Sequence, residues 1–183
     1  MAQASNTRLV ALLGSINTGG NRLTMDALRA ALTRRGFANV ATVTASGNVL
    51  FDGDPGESAA HADGFAACLS EDFGIETFAI VLSAAQLEAS VAENPFVGDG
   101  EDNLVHVHFL EARPGPEAFD QLLSDHQGRG HERIKLGTVA LHIDYVDGVG
   151  RSKLTGPFLA KRLGCRGTAR NIRSLRRILE AMG

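Results

Sequence analysis

Val40-Ala41-Thr42-Val43-Thr44-Ala45-Ser46-Gly47-Asn48-Val49-Leu50-Phe51 is the stretch that decides the fold. Val40–Thr44 is rich in β-branched residues, Ser46-Gly47-Asn48 is a tight-turn sequence, and Val49–Phe51 is apolar again. The stretch therefore reads as two short strands joined by a turn, with no helix between them. Upstream, Arg8 to Ile16 is almost continuously apolar and reads as a buried strand. Thr24 is placed to cap a helix over Met25–Arg35, with Met25, Leu28, Ala31 and Leu32 on its inner face and Gly36 at its end. Downstream, the polar loop Asp52–Glu57 leads to a helix over Ser58–Asp72, which turns Phe65, Cys68 and Leu69 inward and stops at Gly74. A strand over Glu76–Val81 follows. The order is βαββαβ, that of a ferredoxin-like unit.

The second half repeats this order. Ser83 caps a helix running through Ala92, and Asn94-Pro95-Phe96 breaks it. The acidic linker Gly98–Asn103 marks a boundary, dividing the chain into residues 1–97 and 98–183. Leu104–Glu111 then reads as a strand and Pro116–Ser124 as a helix. His131–Lys135 and Val139–Tyr145 read as strands joined at Leu136-Gly137-Thr138, followed by a loop and a helix. A short edge strand is expected at Cys165–Thr168 and a last helix over Ile172–Met182. The sequence thus predicts an α+β fold of two ferredoxin-like βαββα(β) halves, an internal structural duplication, plus a C-terminal helix.

Composition narrows the possibilities. The 183 residues, 44% of them hydrophobic, supply one good core or two small packed ones. No apolar run is long enough for a membrane span. Met1 to Thr7 lacks a basic region followed by an apolar one, so no signal peptide is expected. Two cysteines, Cys68 and Cys165, fit free thiols in a reducing cytoplasm. From Arg151 onward nine Lys/Arg face one acid, Glu180, whereas residues 1–150 carry nine Lys/Arg and twenty acids. Such asymmetry suits either a polyanion partner or a basic tail paired with an acidic body.

Function concentrates in Asp147-Gly148-Val149-Gly150-Arg151-Ser152-Lys153-Leu154-Thr155. Thr155 can cap the next helix, with Pro157 tolerated in its first turn and Gly164 ending it. Leu154 and Leu159 are spaced for a hydrophobic staple. A helix N-terminus beside Gly150, Arg151 and Lys153 can take a phosphate or carboxylate, with Ser152 and Thr155 donating hydrogen bonds. The opposing possibility is a well-capped turn whose Arg151 pairs with Asp147 or another acid. The GxxxxGK(S/T) spacing of a Walker A loop is absent.

Three other stretches are distinctive beside this loop. They are Ala11-Leu12-Leu13-Gly14-Ser15-Ile16-Asn17-Thr18-Gly19-Gly20, Ser46-Gly47-Asn48-Val49 and Thr168-Ala169-Arg170-Asn171. Together with Gly148–Thr155 they resemble the signatures of the bacterial family catalogued as domain of unknown function 1697, whose motifs run ALLRGINVGG, QSGNVVF and TTRNWNT. The resemblance implies a duplicated ferredoxin-like α+β fold and no established activity. Gly14, Ala45 and Ile172 stand where the family pattern has Arg, Gln and Trp.

Asn17, Gly19 and Gly20 are candidates for a second wall of the site, since glycines allow close backbone approach. Asn48 can orient a ligand or simply serve its turn. Asn171 is a natural N-cap, which leaves Arg170 as the better binding candidate of that pair. His106 and His108 share a strand face and His142 lies on a neighbouring strand, but no carboxylate or cysteine stands at ligand spacing, so no metal is expected. Cys68, Ser46 and Ser152 lack a recognisable base, and no catalytic residue is assigned. No cofactor is expected. The expectation is a cytoplasmic protein that binds a phosphate-containing or other anionic small molecule at the Gly-Val-Gly-Arg-Ser-Lys loop, whether or not it is an enzyme. The alternatives are an RNA/DNA-binding module using the basic C-terminal segment, and a noncatalytic module for a protein partner. Against nucleic acid, aromatics are 5% of residues, tryptophan is absent and no RNP-like aromatic pair occurs.

Overall fold

The computed structural model describes residues 7–16, 23–44 and 47–183. The first half runs β1 (Thr7–Leu13), α1 (Met25–Arg34), β2 (Ala38–Thr42), β3 (Asn48–Gly53), α2 (Ser58–Phe73) and β4 (Ala79–Ser83), followed by α3 (Ala84–Ala92). The second runs β5 (Val105–Leu110), α4 (Pro116–His126), β6 (Arg133–Leu136), β7 (Ala140–Asp144), α5 (Gly156–Leu163) and β8 (Gly167–Asn171), followed by α6 (Ile172–Met182). The strand orders are β2-β3-β1-β4 and β6-β7-β5-β8, and every pairing is antiparallel. The two halves therefore share sheet order as well as element order, the pattern of a duplicated α+β fold. By packing, the chain divides into two compact units, Met1–Leu87 with Arg177–Gly183, and Glu88–Arg176. Among the described residues no helix is long and apolar enough to cross a membrane.

In the first unit, Leu9, Ala11 and Leu13 of β1 pack with Leu28 and Leu32 of α1 and with Phe65, Cys68 and Leu69 of α2. Val10 and Leu12, on the opposite face of the strand, are also fully buried. Burial on both faces explains why β1 reads as a continuous apolar run rather than an alternating one. Phe37, Phe51 and Phe65 form a ring cluster with centroids 4.6–5.4 Å apart. Local chemistry ends the helices where expected. Thr24 Oγ1 accepts from Ala27 N–H, and Gly74 adopts a left-handed φ of 65° after α2. Ser83 Oγ accepts from Gln86 N–H while Gln86 Oε1 accepts from Ser83 N–H, a reciprocal capping box for α3.

In the second unit, Leu141 and Ile143 of β7 pack with Leu122 of α4 and Leu159 and Leu163 of α5. Several strand limits shift by one to three residues from the sequence expectation, among them β2 (Ala38–Thr42 for Val40–Thr44) and β6 (Arg133–Leu136 for His131–Lys135), and in two further strands the partners explain the shift. The strand expected over Glu76–Val81 is Ala79–Ser83, because its ladder to β1 begins where β1 ends, at Leu13 opposite Ala79. The strand expected over Cys165–Thr168 is Gly167–Asn171, fixed by β5 from Leu110 to His106. It is an edge strand, as expected.

Gly14, where the family pattern has Arg, follows β1 in a tight setting. A Cβ there would lie 2.7 Å from Phe78 Cε1 and 2.8 Å from Thr77 Oγ1. Thr77 and Phe78 thus fill the space that a side chain would need. Gly14→Ala is expected to destabilise the protein by about 1–3 kcal/mol through overpacking, and Gly14→Arg by more. Urea denaturation checks both; an unchanged midpoint for Gly14→Arg would show that Phe78 yields freely.

Candidate functional site

The register of the second sheet builds a cleft. Arg133 at the start of β6 pairs with Asp144 at the end of β7. The α4–β6 connection therefore lies beside the β7–α5 connection. Both are glycine-rich and both turn sharply, with φ of 74° at Gly128 and 92° at Gly148. After Gly148, Val149–Arg151 forms one 3-10 turn, with Ser152 N–H donating to Val149 O at 3.1 Å. Between the connections is a cleft of about 580 Å³, lined by Gly128, Arg129, Gly130, His131 and Glu132 on one side and by Asp147, Gly148, Arg151 and Ser152 on the other. This lies within the usual range for small-molecule sites.

The acids of the cleft are engaged. Asp147 Oδ2 lies 2.8 Å from His131 Nδ1 in an exposed pair. Glu132 Oε1 accepts from the Ser152 hydroxyl. Its other oxygen lies 3.1 Å from His126 Nε2, at an angle outside hydrogen-bond geometry, so we read that contact as electrostatic. Burial disfavours the charged form of Glu132, but the Ser152 hydroxyl, its own backbone N–H and His126 outweigh burial and hold its carboxyl below the ordinary value. Burial, with the nearby Glu132 charge, pushes the Tyr145 phenol up to about 12. The cations are differently placed. Arg151 and Lys153 are exposed and form no ion pair among the described residues. Arg129 stacks its guanidinium over the Phe158 ring at 5.0 Å.

Of the expected site residues, the fold brings Arg151 and Ser152 to the cleft, with Gly150 and Lys153 as their immediate neighbours. Ser152 has another job than the one expected of it. Its hydroxyl donates to Glu132 and accepts from Leu154 N–H at 3.0 Å, so it organises the loop rather than offering a free donor. Thr155 Oγ1 accepts from Phe158 N–H and caps α5. Asn171 Oδ1 accepts from Ser174 N–H at 2.8 Å and caps α6. Arg170 pairs in register with Val107, on the sheet face opposite α4 and α5. It is buried there, donates to Thr168 Oγ1 at 2.8 Å, and is lowered to about 10 by burial. Asn48 is fully buried in the β2–β3 hairpin, where its amide donates to Val43 O. Ile172, at the family's Trp position, is fully buried at the start of α6. Asn17, Gly19, Gly20, Ala45 and Ser46 lie outside the described residues.

The three imidazoles do not converge. His106 and His108 alternate with Val107, and Val107 is the residue paired with His142, so His142 points to the opposite face. There its Nε2 lies 3.2 Å from Glu93 Oε1, and Glu93 also accepts from Thr138 N–H and Oγ1. Burial lowers His108 to about 4 and keeps it neutral. Arg129, Glu132 and His126 also stand at or behind this cleft, and no sequence motif marks them. The Gly128-Arg129-Gly130 turn was the available signal, but nothing local ties it to a loop some twenty residues later.

Comparison with known proteins gives a family and a fold. A family model described as "Protein of unknown function (DUF1697)" matches residues 6–141, ending before the β7–α5 loop. No curated protein matches significantly. Among solved structures, the conserved bacterial protein SP0830 from Streptococcus pneumoniae is similar, with a TM-score of 0.72 at 20% identity over 97% of this chain and 99% of that one. That likeness supports the fold alone.

Thr155 acts on helix stability. Thr155→Ala is expected to cost about 0.5–1 kcal/mol in urea denaturation, and Thr155→Ser or Thr155→Asp to restore most of it. Equal stability of all four proteins would remove the capping role.

Proposed function

We propose that this chain, which belongs to the DUF1697 family of proteins of unknown function, binds a phosphate-bearing or other anionic small molecule in the cleft between the α4–β6 and β7–α5 loops. One observation carries the reading: Arg129 and Arg151 line one cleft and form no ion pair among the described residues, while the acids beside them are occupied by His131, Ser152 and His126. Arg presents a planar fork suited to phosphate or carboxylate, and exposed Lys153, next to Ser152 in the chain, adds a further positive charge. The glycines let an anion approach the backbone closely.

The α5 N-terminus contributes less. Phe158 N–H is taken by Thr155 Oγ1, Leu159 N–H by Thr155 O, and Pro157 has none. Its dipole at this exposed position is worth roughly 0.3–1 kcal/mol. The arginines therefore carry most of the affinity. The cleft's size favours a small molecule over a strand of nucleic acid. The basic segment is also partly neutralised, since Arg166 pairs with Glu111, Arg176 with Asp102, and Arg162 with Asp125 as an ion pair without hydrogen-bond alignment. A cytoplasmic setting, with Cys68 and Cys165 as free thiols, fits this reading.

The test is thermal shift at low salt with phosphate, pyrophosphate, nucleotides and sugar phosphates, on wild type, Arg129→Ala and Arg151→Ala/Lys153→Ala. A ligand should raise the midpoint with the logarithm of its concentration over Kd. Each variant should weaken Kd about tenfold or more, as expected for a lost charge-assisted contact, and added salt should act in the same direction. Equal stabilisation of wild type and both variants would place the ligand elsewhere.

A further inference from the structure

A line of contacts runs behind the cleft. Leu154 N–H donates to Ser152 Oγ at 3.0 Å, the Ser152 hydroxyl donates to Glu132 Oε1, and Glu132 Oε2 lies 3.1 Å from His126 Nε2. It joins the last residue of α4, the residue before β6 and the turn that carries Arg151. The His126 and Glu132 side chains are only 9% and 8% exposed. Gly130 makes room for the arrangement, because a Cβ there would overlap Glu132 Oε2.

We propose that Glu132 and His126 are positioning residues for the Arg151 turn: Glu132 holds Ser152, His126 holds Glu132, and the ligand affinity of the cleft depends on this buried pair. The part concerning affinity rests on the function proposed above; the part concerning the turn does not. A carboxylate with so little exposure needs partners, and those of Glu132 are the Ser152 hydroxyl, its own backbone N–H and the His126 imidazole. Ser152, held at both its donor and acceptor sides, fixes the backbone between Arg151 and Leu154. The groups facing Glu132 are His126 from α4, Tyr145 beyond β7, Asp147 and Ser152 from the loop, and Arg129, His131 and Arg151 around the cleft. Asp147 opposes the Glu132 charge, whereas Ser152 and His126 favour it.

The sign of the pH response follows. A depressed carboxyl contributes its ordering in full above its unfolded value, about 4.3, and loses it as pH falls through the lower folded value. The experiment is 15N NMR of the full chain, following Leu154 amide exchange and its shift from about pH 7 to about pH 3. Ser152→Ala, Ser152→Thr, Glu132→Gln and His126→Gln are compared with wild type. Ser152→Ala and His126→Gln should speed Leu154 exchange about tenfold while core amides of β5 are unchanged, and Ser152→Thr should restore protection. The acid step in the Leu154 shift should vanish in Glu132→Gln. Wild-type exchange in Ser152→Ala, or an acid step retained in Glu132→Gln, would overturn the proposal. If His126→Gln unfolds, His126→Asn takes its place, and Leu154 exchange at the wild-type rate in Glu132→Gln would overturn the positioning role.

Calorimetry with pyrophosphate then separates the two claims. A Kd about tenfold weaker in Ser152→Ala than in Ser152→Thr supports the link to affinity. An unchanged Kd beside faster Leu154 exchange overturns that link and leaves the cleft as a binding site. Wild type that binds neither pyrophosphate nor any other phosphate probe overturns the binding function, while the exchange data still decide whether Glu132 and His126 hold the turn.

Discussion

Each half of this protein depends on its first strand, which is interior to the sheet and hydrogen-bonded along both edges. β1 lies between β3 and β4, and β5 between β7 and β8. Neither strand can slip without breaking two ladders, and a slip of one residue would turn every side chain to the wrong face. Burial reinforces the constraint, since Leu9 to Leu12 of β1 are wholly buried on both faces. In the second half, β5 fixes β7 on one side and β8 on the other, so the positions of the β7–α5 loop and of Asn171 both follow from it.

Duplication places an equivalent corner in each half, but the chemistry there differs. In the first half β2 and β3 bring Ala38 opposite Asp52, and the loop after β3 carries Asp54, Pro55 and Glu57. Asp54 caps the short turn there by accepting from Gly56 N–H. In the second half Arg133 meets Asp144, and the loop after β7 carries Arg151 and Lys153. One geometry thus supports an acidic, self-capped corner in one half and a cleft lined by both arginines and carboxylates in the other. Fold supplies the corner, and the residues grafted on it decide what it can hold.

Charge within the second corner is sorted by burial. Glu132 is inside and tied to Ser152 and His126, Asp147 is outside and tied to His131, and Arg151 is left exposed. Deeper in the same unit, Asp144 is almost fully buried and accepts from Arg133 Nε at 3.1 Å. The Arg133 guanidinium also reaches Asp99 and stacks over Phe96, so the residues between α3 and β5 are pinned to the sheet. The corner is thus closely bonded on its buried side and exposed on its charged side.

Helix limits were legible because they are local. Thr24, Thr155 and Asn171 cap within three residues of themselves, and Gly74 and Gly164 end helices by their own left-handed backbone. The hairpin and the repeated element order were legible for the same reason, and they suffice for the fold. Strand limits near residues 76 and 165 were less so, because a strand ends where its partner ends. At the site, the sequence by itself determined that Arg151 and Lys153 sit in a glycine-rich turn before a capped helix. Only the tertiary structure decided that Arg129 shares their cleft, that Ser152 answers to Glu132, and that Arg170 and His142 face away. Those facts depend on register between segments far apart in the chain, and the spacing of residues along the chain does not encode it.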